Sequence, residues 1–148
     1  MKKTIINRDI GTNWAFFEGS EVKELIHSGA VVVETNDVKF VYLSGRTATD
    51  GDTDVLVGLG DIKAQTKQVL INLLAALELA GGTIDDIVRM RVYVTPPFSK
   101  ELFAKIHEVR AEFFNKAHYP ASTLVVVYQL AREGAMIEID ADAVIAQK

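Results

Sequence analysis

From Ala30 onward the chain is a succession of segments with a clear hydrophobic period. AVVVE (Ala30–Glu34) and VKFVYLS (38–44) are β-branched and aromatic runs parted by Thr35, Asn36 and Asp37, which predicts a hairpin. GRTATDGDTD (45–54) follows as a turn-rich loop. Asp61 is placed to cap a helix over 62–80, in which Ile62, Val69, Leu70, Leu73, Leu74 and Leu77, with Thr66 among them, make one wide stripe. Lys63, Lys67 and Gln68 fall outside that stripe, and Gly81-Gly82 supplies a left-handed stop. IVRMRVYVT (87–95) then alternates, with Val88, Met90, Val92 and Val94 on one side and Arg89, Arg91 and Tyr93 on the other.

Pro96-Pro97 ends that strand, and Ser99 caps a second helix whose core face is Leu102, Phe103, Ile106, Val109, Phe113 and Phe114. STLVVVYQL (122–130) and AMIEIDADAVIA (135–146) are the closing strands. In the last, Ile137, Ile139, Ala141 and Ala143 alternate with Glu138, Asp140 and Asp142. The order is hairpin, helix, strand, helix, strand, strand, which predicts an α+β sandwich with two helices on one sheet. Residues 124–127 are apolar without alternation, so both faces of their strand should be buried, yet two helices cover only one. The other face is expected to meet a second copy of the chain. Residues 1–29 resist such a reading: Trp14, Phe16 and Phe17 cluster there as an anchor or a ligand-stacking surface, and residues 30–148 form a single domain.

Composition narrows the functional classes. The net charge is −4 and the pI about 5.4, with no basic run beyond Lys2-Lys3, so nucleic acid is not an expected partner. There is no cysteine, which removes disulfides, thiolate nucleophiles and thiolate metal sites. No apolar segment follows the N-terminal lysines, and the longest apolar run (69–80) contains Asn72 and Glu78 and is too short to span a bilayer; a cytoplasmic protein without membrane association is expected.

Chemistry-bearing motifs are sparse. His27, His107 and His118 show no metal-ligand spacing, and no Gly-x-Ser-x-Gly elbow is present. Asp50, Asp52 and Asp54 alternate as in a calcium loop, but the glycine and closing glutamate are out of place. LVGLGDIKAQ has spaced glycines before a helix without the preceding buried parallel strand of a dinucleotide site. What remains are polar groups at strand ends and helix flanks. Ser44-Gly45-Arg46 closes the hairpin, Glu138 sits on the polar face of the last strand, and His107 flanks the stripe of the second helix. Each also has a plain structural reading, as a solvated carboxylate or a half-buried, hydrogen-bonded histidine. HYPASTLVVVYQL (118–130) places Ser122 and Thr123 at the mouth of an apolar strand, either a pocket wall or simply a strand entrance.

Taken in order, VYLSG, AQTKQVLINLLAALELAGGTIDDIVRMRVYVT, FAKIHEVRAEFF, YPAST and IEIDADAVI resemble the RidA/YjgF family of reactive-intermediate deaminases, over about 31–146. The resemblance implies a chorismate-mutase-like α+β fold, a mixed sheet with two helices on one face, and a homotrimer whose sheets form a central barrel. It implies small-molecule clefts between subunits, in which active members hydrolyse enamines and imines such as 2-aminoacrylate to keto acids and ammonia without metal or organic cofactor. Ser44 matches the family's cleft serine and Glu138 its water-positioning glutamate, while His107 falls where an asparagine is common.

Two family parts are absent. The arginine after Pro-Ala, which grips the substrate carboxylate through a bidentate fork, is Ser122 here, a single hydroxyl without charge. The tyrosine before the first hairpin strand is also missing, with Gly29 and its neighbours in its place. Arg46 either supplies the lost guanidinium from another wall or pairs with Asp50 or Asp52 on the surface.

The leading expectation is a deaminase for an imine or enamine other than 2-aminoacrylate. Glu138 and His107 would be catalytic, and Ser44, Arg46, Ser122 and Thr123 would bind substrate. The alternative is a trimeric binder of a small metabolite without turnover, favoured by the lost arginine. A ribonuclease or translation inhibitor, an activity attributed to some relatives, fits poorly with the acidic charge.

Overall fold

A computed structural model describes residues 1–6 and 26–147 of the 148-residue chain; the Trp14, Phe16 and Phe17 cluster lies outside the described residues. The strands are β1 (Lys2–Ile6), β2 (Ala30–Glu34), β3 (Val38–Arg46), β4 (Ile87–Val94), β5 (Ala121–Val126) and β6 (Ile137–Ala146), and the helices are α1 (Ile62–Leu79) and α2 (Lys100–Phe113). The strands form one mixed sheet in the order β1-β2-β3-β6-β4-β5, antiparallel throughout except for the parallel pair β4 and β5. Both helices pack on one face, so the architecture is the expected α+β sandwich. β1 is an addition the hydrophobic pattern did not reveal: its residues are exposed or half-buried, and it is held by its ladder to β2.

The caps behave as the sequence predicts. Asp61 accepts from the amides of Lys63 (3.0 Å) and Ala64 (3.1 Å), and Ser99 accepts from that of Leu102 (3.1 Å). Gly81 has φ +86°, so α1 ends in the left-handed conformation that glycine adopts without strain. The core joins Val69, Leu70, Leu73 and Leu77 of α1 and Ile106 and Val109 of α2 to Val41, Met90, Val92, Ile137, Ile139 and Ala141 of the sheet. Among these apolar residues Gln65 is fully buried. It donates to the carbonyls of Gly58 (3.2 Å) and Gly134 (3.0 Å) and accepts from the amide of Met136 (2.8 Å). It thereby ties α1 to both the preceding loop and the entry to β6.

Three expectations need correction. Val88 is 47% exposed and Ile87 takes the inward place, because the β4–β6 register shifts between Ile87 and Arg89 and the extra residue turns the alternation over. Phe103 is exposed rather than core, and packs edge-on to Phe98 and against the ring of His107. Residues 124–127 are not buried within one chain: β5 is an edge strand, with Val125 42% and Val126 48% exposed. Among the described residues, no helix is long and apolar enough to cross a membrane.

Candidate functional site

Strand alternation distributes the candidate residues over two places. Ile137 and Ile139 of β6 face the helices, so Glu138 between them faces the opposite side, directly across from Tyr93 of β4. There its carboxylate lies against the backbone of Gly45, at the irregularity in the β3–β6 ladder between Leu43 and Arg46. A Cβ on residue 45 would collide with that carboxylate, standing only 3.1 Å from its Cδ. The glycine of the Ser-Gly strand end is therefore what lets the glutamate settle onto the strand. Ser44 immediately precedes it and donates its hydroxyl to the Ser28 carbonyl at 2.6 Å, while Arg46 Nη2 donates to the Gly29 carbonyl at 3.2 Å. Asp50, a proposed partner for Arg46, accepts instead from the amides of Asp52 and Thr53 within its own loop.

The face around Glu138 is strongly charged. Arg91 donates from Nε to Asp140 (2.5 Å) and from Nη1 and Nη2 to the two oxygens of Asp142 (both 2.9 Å), and the Tyr93 hydroxyl donates to Asp140 (3.2 Å). The bidentate Asp142 contact, together with the Asp140 charge, holds the Arg91 guanidinium more firmly protonated than usual. Burial, reinforced by the Asp140 charge, raises the Glu138 carboxyl above the ordinary glutamate range, and burial with Asp140 raises Tyr93 likewise. A half-buried carboxylate with a raised pKa is a stronger base than an exposed one, suited to holding and deprotonating a water.

The second place lies on the helix side. Ser122 pairs with Met90 in the parallel β4–β5 ladder and projects to the same face, where α2 crosses the start of β5. A pocket of about 390 Å³ opens here, lined by His107, Arg110, Ala111 and Phe114 of the second helix and its end, and by Tyr119, Pro120 and Ser122. Arg110 donates to the Ser122 hydroxyl at 3.2 Å. His107 Nδ1 is 3.0 Å from the Phe103 carbonyl, an acceptor, so Nδ1 carries the proton and Nε2 is left for exchange; the ring stacks on Phe103 at 4.0 Å. Thr123 follows Ser122 and falls on the opposite face of β5, across from Arg91.

Within one chain, then, Ser44, Arg46 and Glu138 lie at one corner of the sheet, His107 and Ser122 share the pocket behind it, and Thr123 belongs with neither group. Sequence reasoning passed over three participants. Arg110 reads as an ordinary polar helix position until the packing of α2 on β5 brings it to Ser122. Asp140 and Asp142 read as a wet strand face, and only the β4–β6 register shows both carboxylates on one guanidinium.

Comparison with known proteins places this arrangement. Residues 27–145 match the family model described as endoribonuclease L-PSP. A RutC family protein of Pyrococcus horikoshii is 40% identical over 106 residues, covering 70% of this chain and 78% of the relative. Protein DfrA of Myxococcus xanthus is 36% identical over 118 residues, covering 80% and 84%. Among solved structures, RidA from the Antarctic bacterium Psychrobacter superposes with a TM-score of 0.71 at 29% identity, covering 97% of this chain and all of that one. E. coli TdcF with bound serine superposes at 0.70 and 25% identity, covering 99% and 100%. With the Ser-Gly strand end, the capped helices and the Pro-Ala edge strand now located in three dimensions, this chain is a member of the RidA/YjgF family.

Proposed function

We propose that the protein is a homotrimeric hydrolase that deaminates an imine or enamine metabolite at clefts between subunits. The observation carrying this reading is the division of the candidate residues into two half-sites on opposite faces of one sheet. A small ligand cannot touch both in one chain, but a cleft between neighbouring copies would bring Glu138 and Ser44 of one against His107 and Ser122 of the next. The exposed apolar edge at Val125 and Val126 supports such an assembly. That the related TdcF structure carries serine favours an amino-acid-like ligand.

In the reaction, Glu138 accepts a proton from a bound water as its oxygen bonds to the imine carbon, giving a carbinolamine. His107 Nε2, unprotonated at rest, carries that proton from Glu138 to the nitrogen. The carbinolamine hydroxyl gives up its own proton by the same route, the C–N bond breaks, ammonia leaves and the carbonyl forms; an enamine first tautomerises to the imine. Ser44 and Ser122 supply hydroxyls to polar substrate atoms. Thr123 lies on the same sheet face as Glu138, across the ladder from Arg91, and takes no part in these steps. The test is ammonia release from imines generated by an amino-acid oxidase, with Glu138→Gln as control and sedimentation to establish the trimer. Equal rates for wild type and variant would overturn the mechanism. The second reading, a trimeric binder without turnover, is favoured by Ser122 standing where active relatives carry arginine. Tight binding of a small carboxylate with no ammonia from any imine would establish it.

A further inference from the structure

Arg110 is the one arginine or lysine lining the pocket among the described residues, and none of them compensates its charge. It is half-buried between α2 and β5, with the Phe114 ring 6.0 Å from its guanidinium carbon. Of its donors only Nη2 is engaged among the described residues, with the Ser122 hydroxyl at 3.2 Å and the Met90 sulfur at 3.7 Å. None of the ion pairs among the described residues includes it, although Lys63, Lys105, Arg91 and Arg132 all have carboxylate partners. Burial alone pushes its pKa down, with no carboxylate acting against that effect. A guanidinium does not escape by losing its proton, so a desolvated one is stabilised by an anion with a matching fork.

Beside His107 and Ser122, the rest of the lining is Ala111, Phe114, Tyr119 and Pro120, which are apolar or aromatic. The site thus joins one cation to a greasy cup. From this we infer that Arg110 has taken over the carboxylate-binding role vacated at position 122, and that the pocket selects monocarboxylates bearing an apolar tail. Ser122 orients the guanidinium by accepting from one Nη2 hydrogen, and Nε–H with the other Nη2 hydrogen forms the fork that grips the carboxylate. Moving the cation from strand to helix shifts the anion-binding point away from the β5 backbone. A substituent on the anion would then meet Phe114, Tyr119 and Pro120. The inference rests on the reading of this pocket as the ligand half-site, but not on turnover.

The experiment is calorimetric titration of the full-length protein with 3-phenylpropionate and with its neutral isostere 3-phenylpropanamide. Arg110→Gln should weaken the carboxylate about ten- to a hundredfold and leave the amide unchanged. Arg110→Lys should recover part of the loss, and Ser122→Arg in the Arg110→Gln background most of it. Should Arg110→Gln fail to fold, the Arg110 Nε–Hε resonance of the wild type is followed instead, and it should move on adding the carboxylate and not the amide. Equal effects on both probes, an unmoved resonance, or no binding of 3-phenylpropionate to the wild type overturns the inference. So does loss of subunit assembly with unchanged carboxylate affinity, which would make Arg110 an interface cation. Carboxylate binding through Arg110 without ammonia release refutes the deaminase and leaves the subsite standing. Ammonia release from carboxylated imines that is indifferent to Arg110→Gln refutes the subsite alone.

Discussion

Replacing Gln65 with methionine probes the connection between the core and the corner of the sheet that carries Glu138. The two side chains are similar in volume, so the change removes hydrogen bonding with little change in packing. Three contacts are lost: donations to Gly58 and Gly134 and acceptance from Met136. They are not equal. Gly134 is exposed and its carbonyl turns to water at small cost, and Gly58 is half-exposed. The Met136 amide faces the fully buried side chain and loses its partner outright, which costs about 1–3 kcal/mol. With about 0.5–1 kcal/mol for each carbonyl, the total is about 3 kcal/mol. For a domain of this size that corresponds to a melting temperature lower by roughly 6–12 °C.

The assay is urea unfolding at matched protein concentration, since assembly contributes to apparent stability. The midpoint should fall with an unchanged slope. Met136 stands two residues before Glu138, so the variant should also lose hydrolytic rate beyond what its unfolded fraction explains. A loss under about 1 kcal/mol would mean that Met136 finds another acceptor and that Gln65 is not the tie between α1 and β6.

Gly45→Ala should displace the Glu138 carboxylate, a flexible side-chain end, and reduce kcat more than tenfold while the melting temperature moves by a few degrees at most; full activity would show that Glu138 does not work from this position. Because the folded-state pKa of Glu138 is raised, its effect on stability is most favourable below the ordinary glutamate value and declines as pH rises through the folded value. Glu138→Gln should therefore melt higher than wild type at pH 7 and level with it near pH 4, as read by calorimetry; a difference constant across that range contradicts the raised pKa. The proposed hydrolysis should then show the acid limb of its kcat/KM profile at a higher pH than an exposed glutamate would give. Arg91→Met leaves Asp140 and Asp142 facing each other without their cation, and should destabilise the protein at low salt by about 1–3 kcal/mol, less at 1 M salt. No salt dependence would mean that the network adds little beyond packing.

Local periodicity made most of the fold legible. The Asp61 and Ser99 caps, the Gly81 stop, the α1 stripe and the alternation of β6 all depend on contacts within a few residues, and the structure reproduces them. Errors arose where a distant partner intervened. Val88 turned outward because a register shift belongs to two strands rather than one. Phe103 is an exception: it lies outside the core with local partners only, the rings of Phe98 and His107. β1 carries no strand-like burial of its own and exists through its pairing with β2.

The candidate site divides in the same way. Ser44, Gly45 and Glu138 were identifiable by their motifs, and the loss of the arginine was visible at Ser122. That two such residues project to opposite faces of one sheet follows from strand register. That Gly45 serves Glu138 follows from the close approach of β3 and β6. Arg110 stands twelve residues before Ser122 on another element, and no spacing rule links them. A sequence specifies which groups a protein has and the local geometry that carries them. Which of those groups meet depends on how helix and strand pack, because that packing is set by the sum of many long-range contacts.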